Sequence, residues 1–336
     1  SIGEFHKCVA AGITPNKIIF SGVGKDKNEI EIAIRNNILQ FNIESEEELY
    51  DIYEIASKLK ITTNICLRIN PDIAPNTHKK ISTGEKETKF GINNEDILSI
   101  YEKLHKLKYI NPVGLGVHIG SQIFDFNFFH KAYSNLKTVA DKLKNNGFKV
   151  PTLDLGGGIG IYYDENKNPD FETYKKVISD LFLGSEYKLS FEPGRILIAE
   201  AGVLVTKVIR NKKNKDKNFI IIDAAMNNLI RPTLYDAFHK IEPVKKISDK
   251  KVVADIVGPI CETGDFIALN RKITQVNNND LLAIRTTGAY SSVMRSNYNA
   301  RIDAVEILIY NSKSYQLKEI DSIIDIIAKE KIIDFI

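Results

Sequence analysis

Apolar positions along the first two thirds of the chain follow two alternating rhythms. Short runs rich in β-branched residues occur at 17–22 (KIIFSG), 39–45 (LQFNIES), 64–71 (NICLRINP), 113–121 (VGLGVHIGS), 152–158 (TLDLGGG) and 189–195 (LSFEPGR); they predict strands. Between them, in KDKNEIEIAIRNN, SEEELYDIYEIASKL, NNEDILSIYEKLHKL and NFFHKAYSNLKTVADKLKNNG, apolar residues recur at three- and four-residue spacing against charged faces, which predicts amphipathic helices. The chain also opens on a helical pattern: Ile2, Phe5, Cys8 and Val9 share one face, Ser1 and Glu4 fit a capping box, and Gly12 fits a stop.

Strand–helix alternation predicts parallel strands joined by helical crossovers, which both an open doubly wound sheet and a closed barrel satisfy. His118, the glycines of LDLGGG and the segment Glu192–Arg195 all fall at C-terminal ends of strands, where barrel active sites gather, and this favours the (β/α)8 TIM-type barrel. Six units are visible where a barrel has eight strands, so the barrel is expected to be N-terminally incomplete here, its first strand–helix unit absent. The expected division is a barrel over residues 1–198 and a mainly β domain with a closing helix over residues 199–336. The second domain is read from GVLVTKVIR, NFIIIDA, KKVVADIVG, DLLAIRTTG, AVEILIY and SYQLKEI, with RNKKNKDKN (210–218) as a solvated hairpin loop and DSIIDIIAKEKIIDFI as the helix.

Composition narrows the class. Among 336 residues, 43% are hydrophobic and 26% charged, and the net charge of +3 comes from interleaved signs. Nothing in that balance argues for nucleic acid or a membrane as partner, which leaves small-molecule chemistry. Cys8, Cys66 and Cys261 are far apart, with no C-x-x-C pair, so neither a disulfide scaffold nor a metal site is expected, and a cytoplasmic setting is. No run approaches the roughly 20 apolar residues of a membrane span.

The candidate chemistry sits at the strand ends. From Gly156 the third position of a G-x-G-x-x-G fingerprint is Ile161, so the glycine run fails as a dinucleotide loop and reads either as a tight turn or as a phosphate cradle of main-chain N–H groups. SGVGKDK fails as a nucleotide loop, and Asp26 reads as a helix start. His118 has no second histidine at ligand spacing, and Glu192 on an otherwise apolar strand is costly to bury without a purpose. The β domain adds Arg231 and Tyr235, the pair Cys261 and Glu262 in a Gly/Pro-rich loop, and Tyr290 in a Gly–aromatic turn.

Taken in order, FSGVGK, FNIES, RINP, THKKISTG, KFGI, HIGSQ, LDLGGGIG, EPGR, IDAAMNNLIRPTLYDA, VGPICETGDF and GAYSSVMRSNYN closely resemble the diaminopimelate decarboxylases, pyridoxal-phosphate enzymes of the alanine-racemase-like fold that join a barrel to a β domain. The resemblance implies a carboxy-lyase that converts meso-2,6-diaminopimelate to L-lysine and carbon dioxide. It implies that Gly157, Gly158, Ser121 and the segment Glu192, Pro193, Gly194 and Arg195 hold the cofactor, with Tyr290 contributing. His118 would stack on the pyridine ring and Glu192 would pair with its nitrogen. Arg195, Arg231, Tyr235, Glu262 and Tyr290 match substrate contacts. Cys261 matches a proton donor that reaches the neighbouring subunit's active site, which implies a homodimer with shared sites. The family's Schiff-base lysine lies in a Y-A-x-K-A-N motif that these residues lack, so the chain as given is expected to be inactive or impaired if that strand is truly missing. Alternatives are a catalytically silent homologue that acts by binding, or a decarboxylase of another basic amino acid or of carboxynorspermidine.

Overall fold

In the computed structural model all residues are described except 76, 85–87, 165–167, 247, 332 and 334–336. The chain divides into two units, Ser1–Ile161 with Asn168–Gly194, and Tyr162–Lys167 with Arg195–Ile336.

The first unit is built on seven strands: β1 (Ile19–Phe20), β2 (Gln40–Ile43), β3 (Thr63–Asn70), β4 (Ile92–Asn93), β5 (Ile110–Val117), β6 (Thr152–Asp154) and β7 (Lys188–Ser190). They pair in the order β1-β2-β3-β5-β6-β7, with β4 beside β3. Every pairing is parallel. This order decides between the two candidate architectures. A doubly wound sheet reverses its strand order at a switch point, whereas a barrel adds each strand to the same edge. No reversal occurs here, so the sheet is an arc of a barrel and all six predicted strands are members of it.

Six helices alternate with these strands: α1 (Ile2–Ala10), α2 (Lys27–Arg35), α3 (Glu46–Leu59), α4 (Ile97–Leu104), α5 (Phe126–Asn145) and α6 (Phe171–Phe182). Both expected starts are present as reciprocal capping boxes, Ser1 with Glu4 on α1 and Asp26 with Glu29 on α2. Alternation along the strands separates two kinds of face. Phe41, Ile43, Ile65, Leu67, Leu115, Val117 and Leu153 belong to the apolar core shared with the helices. The opposite parity carries Gln40, Asn42, Cys66, Arg68, Gly116, Asp154 and Ser190, with Arg68, Gly116, Asp154 and Ser190 in one register row. The barrel interior is therefore polar and small, and it faces the chemistry.

The second unit begins with the short helix α7 (Arg195–Ile198) and holds β8 (Leu204–Asn214), β9 (Lys217–Ile222), helix α8 (Arg231–Tyr235), β10 (Ile241–Pro243), β11 (Lys251–Val257), β12 (Phe266–Thr274) and β13 (Leu281–Ile284). These strands pair as β10-β13-β8-β9-β11-β12, and only the β9–β11 pairing is parallel. A separate hairpin, β14 (Ile307–Tyr310) with β15 (Lys313–Gln316), and helix α9 (Ile323–Ala328) follow.

Three expectations change. RNKKNKDKN is mostly strand: β8 and β9 run through it, leaving a two-residue turn with Lys215 at φ 50°. Ladder bonds are made by main chain, so exposed lysines do not interrupt them. The runs FIALNRKIT and IEP, not anticipated, form β12 and β10. The closing helix covers only Ile323–Ala328, and the rest of its predicted stretch includes residues outside those described. No helix among the described residues is long and apolar enough to cross a membrane.

Candidate active site

Four polar side chains meet on the interior of the first unit. Ser21, just beyond β1, donates its hydroxyl to Glu192 Oε1 at 3.0 Å. The Asn42 amide on β2 lies 3.0 Å from Ser21 Oγ, 3.2 Å from Asp154 Oδ2 and 3.3 Å from Glu192 Oε1. Gln40 donates to Asn42 Oδ1 at 2.8 Å, which fixes the amide's orientation with its NH2 toward the two acids. Asp154 is 1% exposed and accepts the Gly156 N–H at 2.9 Å.

Among the described residues no cation pairs with this cluster. Arg68, whose charge acts on both acids, is committed to Glu44 at 2.6 Å and to the His118 carbonyl at 3.2 Å. Lys25, 1% exposed, gives its protons to the Gly22 and Asn42 carbonyls and to Glu48. Two carboxyls therefore share neutral partners. Burial, and next the charge of Asp154, push the Glu192 carboxyl up to about 7, and burial raises Asp154 as well. A cationic ring N–H placed at Glu192 would relieve that deficit, so the acids fit a protonated pyridine.

The glycine loop lies alongside. A Cβ on Gly156, Gly157 or Gly158 would come within 2.3, 2.1 and 2.2 Å of the carbonyl oxygens of Val117, Glu192 and Gly120 respectively. What crowds the glycines is thus the main chain of neighbouring strand ends, and this alone requires glycine at 156–158. The Glu192 N–H donates to the Gly156 carbonyl at 2.8 Å, which ties the glycine loop to the Glu192 segment. Among the described residues neither the Gly158 nor the Gly194 N–H has a protein acceptor, so main-chain donors stand ready for an anion. Ser121 is held nearby, its N–H on the Ile81 carbonyl at 3.1 Å, and Gly120 before it is the residue against which Gly158 packs. His118 Nδ1 accepts the Gly157 N–H at 3.1 Å. Burial, then the Arg68 charge, lower its pKa to about 4, so the imidazole is neutral at pH 7, a flat surface without charge.

The second unit gathers the arginines. Arg195 and Arg231 are buried, 8% and 4% exposed. Tyr163 stands between them: its hydroxyl accepts from Arg195 Nη1 at 2.8 Å, and the Arg231 guanidinium lies 4.4 Å over its ring. Arg195 also lies 4.7 Å from the ring of Tyr290, a residue at φ 55°. Tyr235 closes α8, the helix that Arg231 opens. Stacking on an aromatic face stabilises a guanidinium without neutralising its charge.

Cys261 and Glu262 sit on an exposed loop of the same unit. Asp265, 3% exposed, anchors it by accepting the Met226 and Ile260 N–H groups, each at 2.7 Å. Thr233 of α8 donates to the Gly264 carbonyl at 2.6 Å, and so joins this loop to the Arg231 helix. Glu262 accepts from the Tyr298 hydroxyl at 3.0 Å. Sequence reasoning missed Ser21, Asn42, Asp154, Tyr163 and His239 as site residues. For Asn42 a signal existed: in QFNI two amide side chains alternate with two buried apolar ones, which marks a polar strand face.

Three comparisons bear on the chain. Residues 1–200 match the family described as pyridoxal-dependent decarboxylase, pyridoxal binding domain. The diaminopimelate decarboxylase of Zymomonas mobilis is 45% identical over 338 residues, covering 100% of this chain and 80% of the relative. That of Aquifex aeolicus is 44% identical over 310 residues, 92% of this chain and 74% of the relative. Among solved structures, diaminopimelate decarboxylase from Helicobacter pylori complexed with L-lysine superimposes with a TM-score of 0.92 at 38% identity, covering 97% of this chain and 81% of that one.

Proposed function

The chain belongs to the diaminopimelate decarboxylase family of pyridoxal-dependent decarboxylases, and from that membership we propose how its residues divide the work of converting meso-diaminopimelate to L-lysine and carbon dioxide. The observation that carries the assignment is the acid cluster short of one cation, beside main-chain N–H groups short of an acceptor: together they match a cofactor with a cationic ring nitrogen and an anionic phosphate.

Bound pyridoxal phosphate supplies an electron sink for the pair left behind when carbon dioxide departs. Glu192 holds a proton at the ring nitrogen. Glu192 would pass its carboxyl proton to the ring nitrogen and remain beside it as the carboxylate, and Ser21 and Asn42 already donate to Oε1, so that carboxylate would need no reorganisation. Asp154 raises the energy of an unpaired Glu192 charge and so favours pairing with the ring cation. Gly158, Gly194 and Ser121, with Pro193 and Arg195 in the same segment, would hold the phosphate, whereas the Gly157 N–H, named with them from the sequence, is given to His118 Nδ1 and serves to orient that ring. His118, neutral and oriented by the Gly157 N–H, offers its face to the ring.

Substrate recognition falls to Arg195, Arg231, Tyr235, Glu262 and Tyr290. The distal end of meso-diaminopimelate carries a carboxylate and an ammonium, and arginines together with an acid match both charges. Cys261 returns a proton to the α-carbon after carbon dioxide leaves. Its exposed position supports a homodimer in which it serves the partner's site. Most of the cofactor work falls to residues up to Gly194 and most of the recognition to residues from Arg195 on, with Arg195 serving both, and the setting is cytoplasmic.

A silent binding protein is not favoured, since the acid cluster, the phosphate donors and the arginine pair are all retained. The test is product analysis of protein expressed from the complete reading frame that contains this chain. With pyridoxal phosphate it should release lysine and carbon dioxide in equal amounts from meso-diaminopimelate and leave ornithine untouched. Consumption of ornithine or arginine in preference would overturn the substrate.

A further inference from the structure

We propose that His239 is a positioning residue that holds Arg231 by one nitrogen, so that the opposite edge of the guanidinium is presented to a carboxylate of the substrate. The inference rests on the reading of Arg231 as a substrate contact and adds what fixes its orientation.

His239 is fully buried. Its Nδ1 lies 3.0 Å from the Arg285 carbonyl oxygen and its Nε2 lies 2.7 Å from Arg231 Nη1. A carbonyl only accepts and a guanidinium only donates, so both contacts are satisfied by a single state: neutral imidazole with the proton on Nδ1 and the lone pair on Nε2. Burial holds the ring in that neutral form, its pKa lowered to about 4. The histidine's own main chain is clamped too. Arg271 donates to the His239 carbonyl at 2.8 Å while lying 3.8 Å over the ring of Phe238. The rings of Tyr163 and His239 meet at 74° with their centroids 5.0 Å apart, and the same tyrosine lies beneath Arg231.

With Nη1 engaged and one face covered by Tyr163, the free edge of Arg231 is the one formed by Nε–H and Nη2. The Nε atom is buried and has no hydrogen-bond partner among the described residues. An unmet donor of this kind is costly unless a ligand meets it. Two parallel N–H groups on one edge match the two oxygens of a carboxylate. Arg231 held by an acid instead of a neutral histidine would lose the net positive charge that attracts an anion; held by nothing, it would be free to turn. A neutral acceptor avoids both outcomes.

Protein from the complete reading frame, loaded with pyridoxal phosphate, tests this. His239→Phe keeps the ring and removes the acceptor: KM for meso-diaminopimelate should rise about tenfold or more, the loss of one charge-assisted contact, with kcat changed less than about threefold. His239→Gln offers an amide oxygen to Nη1 and should return KM to within about threefold of wild type. In an Arg231→Lys background, His239→Phe should add nothing. An unchanged KM in His239→Phe, or glutamine no better than phenylalanine, overturns the proposal. Independently of folding of the variants, 15N NMR of wild type labelled at histidine should show Nδ1 protonated and Nε2 bare in His239; a proton on Nε2 would overturn it. Failure of wild type to decarboxylate meso-diaminopimelate would refute the proposed function instead, and the tautomer measurement, which uses no substrate, would still decide the His239–Arg231 contact.

Discussion

Replacing Glu192 by Gln should make the cofactor-free protein less sensitive to rising pH. In the folded protein burial, followed by the charge of Asp154, raises the Glu192 carboxyl to about 7 from an ordinary 4.5. Between those values the folded chain binds a proton that the unfolded chain has released. Stability from this group is thus fully present below about 4.5 and is lost as pH rises through about 7. A tenfold difference in proton affinity between the two states is worth about 1.36 kcal/mol, and integrating the two titrations gives a loss on the order of 2–3 kcal/mol between about pH 5 and pH 8. Glutamine keeps the shape and the contacts to Ser21 and Asn42 but does not titrate. Urea unfolding followed by far-ultraviolet circular dichroism at both pH values measures the difference. Wild type should lose about 2–3 kcal/mol more than Glu192→Gln over the interval, and pyridoxal phosphate should restore wild type at the higher pH more than it restores the variant. Parallel pH dependences in the two proteins, or a wild type that gains on the variant as pH rises, would refute the reasoning.

Other consequences are as direct. Cys261→Ala should slow lysine formation by about a hundredfold or more, the usual weight of a proton donor, while cofactor affinity measured by absorbance titration stays within about threefold; undiminished lysine production would remove Cys261 from the mechanism. Co-expression of Cys261→Ala with Glu192→Gln should restore about a quarter of wild-type activity from two impaired parents, because a mixed dimer with shared sites has one intact site; no recovery despite mixed dimers seen by native mass spectrometry would exclude sharing. Gly157→Ala places a methyl 2.1 Å from the Glu192 carbonyl oxygen, so the glycine loop and the Glu192 segment must separate. Its thermal midpoint should fall as expected for overpacking by about 1–3 kcal/mol, and cofactor binding should weaken with it; wild-type values in both would mean that the two loops are not in contact.

How much of this was legible in the sequence depends on the reach of each interaction. The strands of the first unit, β4 excepted, were legible because β-branched runs end in glycine and proline, and the strand count placed His118, Gly156–Gly158 and Glu192 at one end. The alternation in QFNI also carries the polar face that holds Asn42. Strand β12 escaped because FIALNRKIT breaks its apolar pattern with Asn270, Arg271 and Lys272, and the continuation of β8 and β9 into the charged hairpin, anticipated only as a loop, escaped because exposed side chains say little about main-chain pairing. The glycines announced a close approach but not what approaches: main chain of the neighbouring loops first, with donors left over for an anion. The roles of Tyr163 and His239 were out of reach, since they follow from contacts to Arg195, Arg231 and Arg285 that no local pattern encodes.

The most direct test of the account is the protonation of the bound cofactor's ring. Pyridoxal phosphate labelled with 15N in the pyridine should, on binding wild type, show a protonated ring nitrogen at pH 7, and in Glu192→Gln that proton should be lost. A neutral nitrogen in wild type, or an equally protonated one in the variant, would contradict the claim that the cluster of Ser21, Asn42, Asp154 and Glu192 exists to hold a cation.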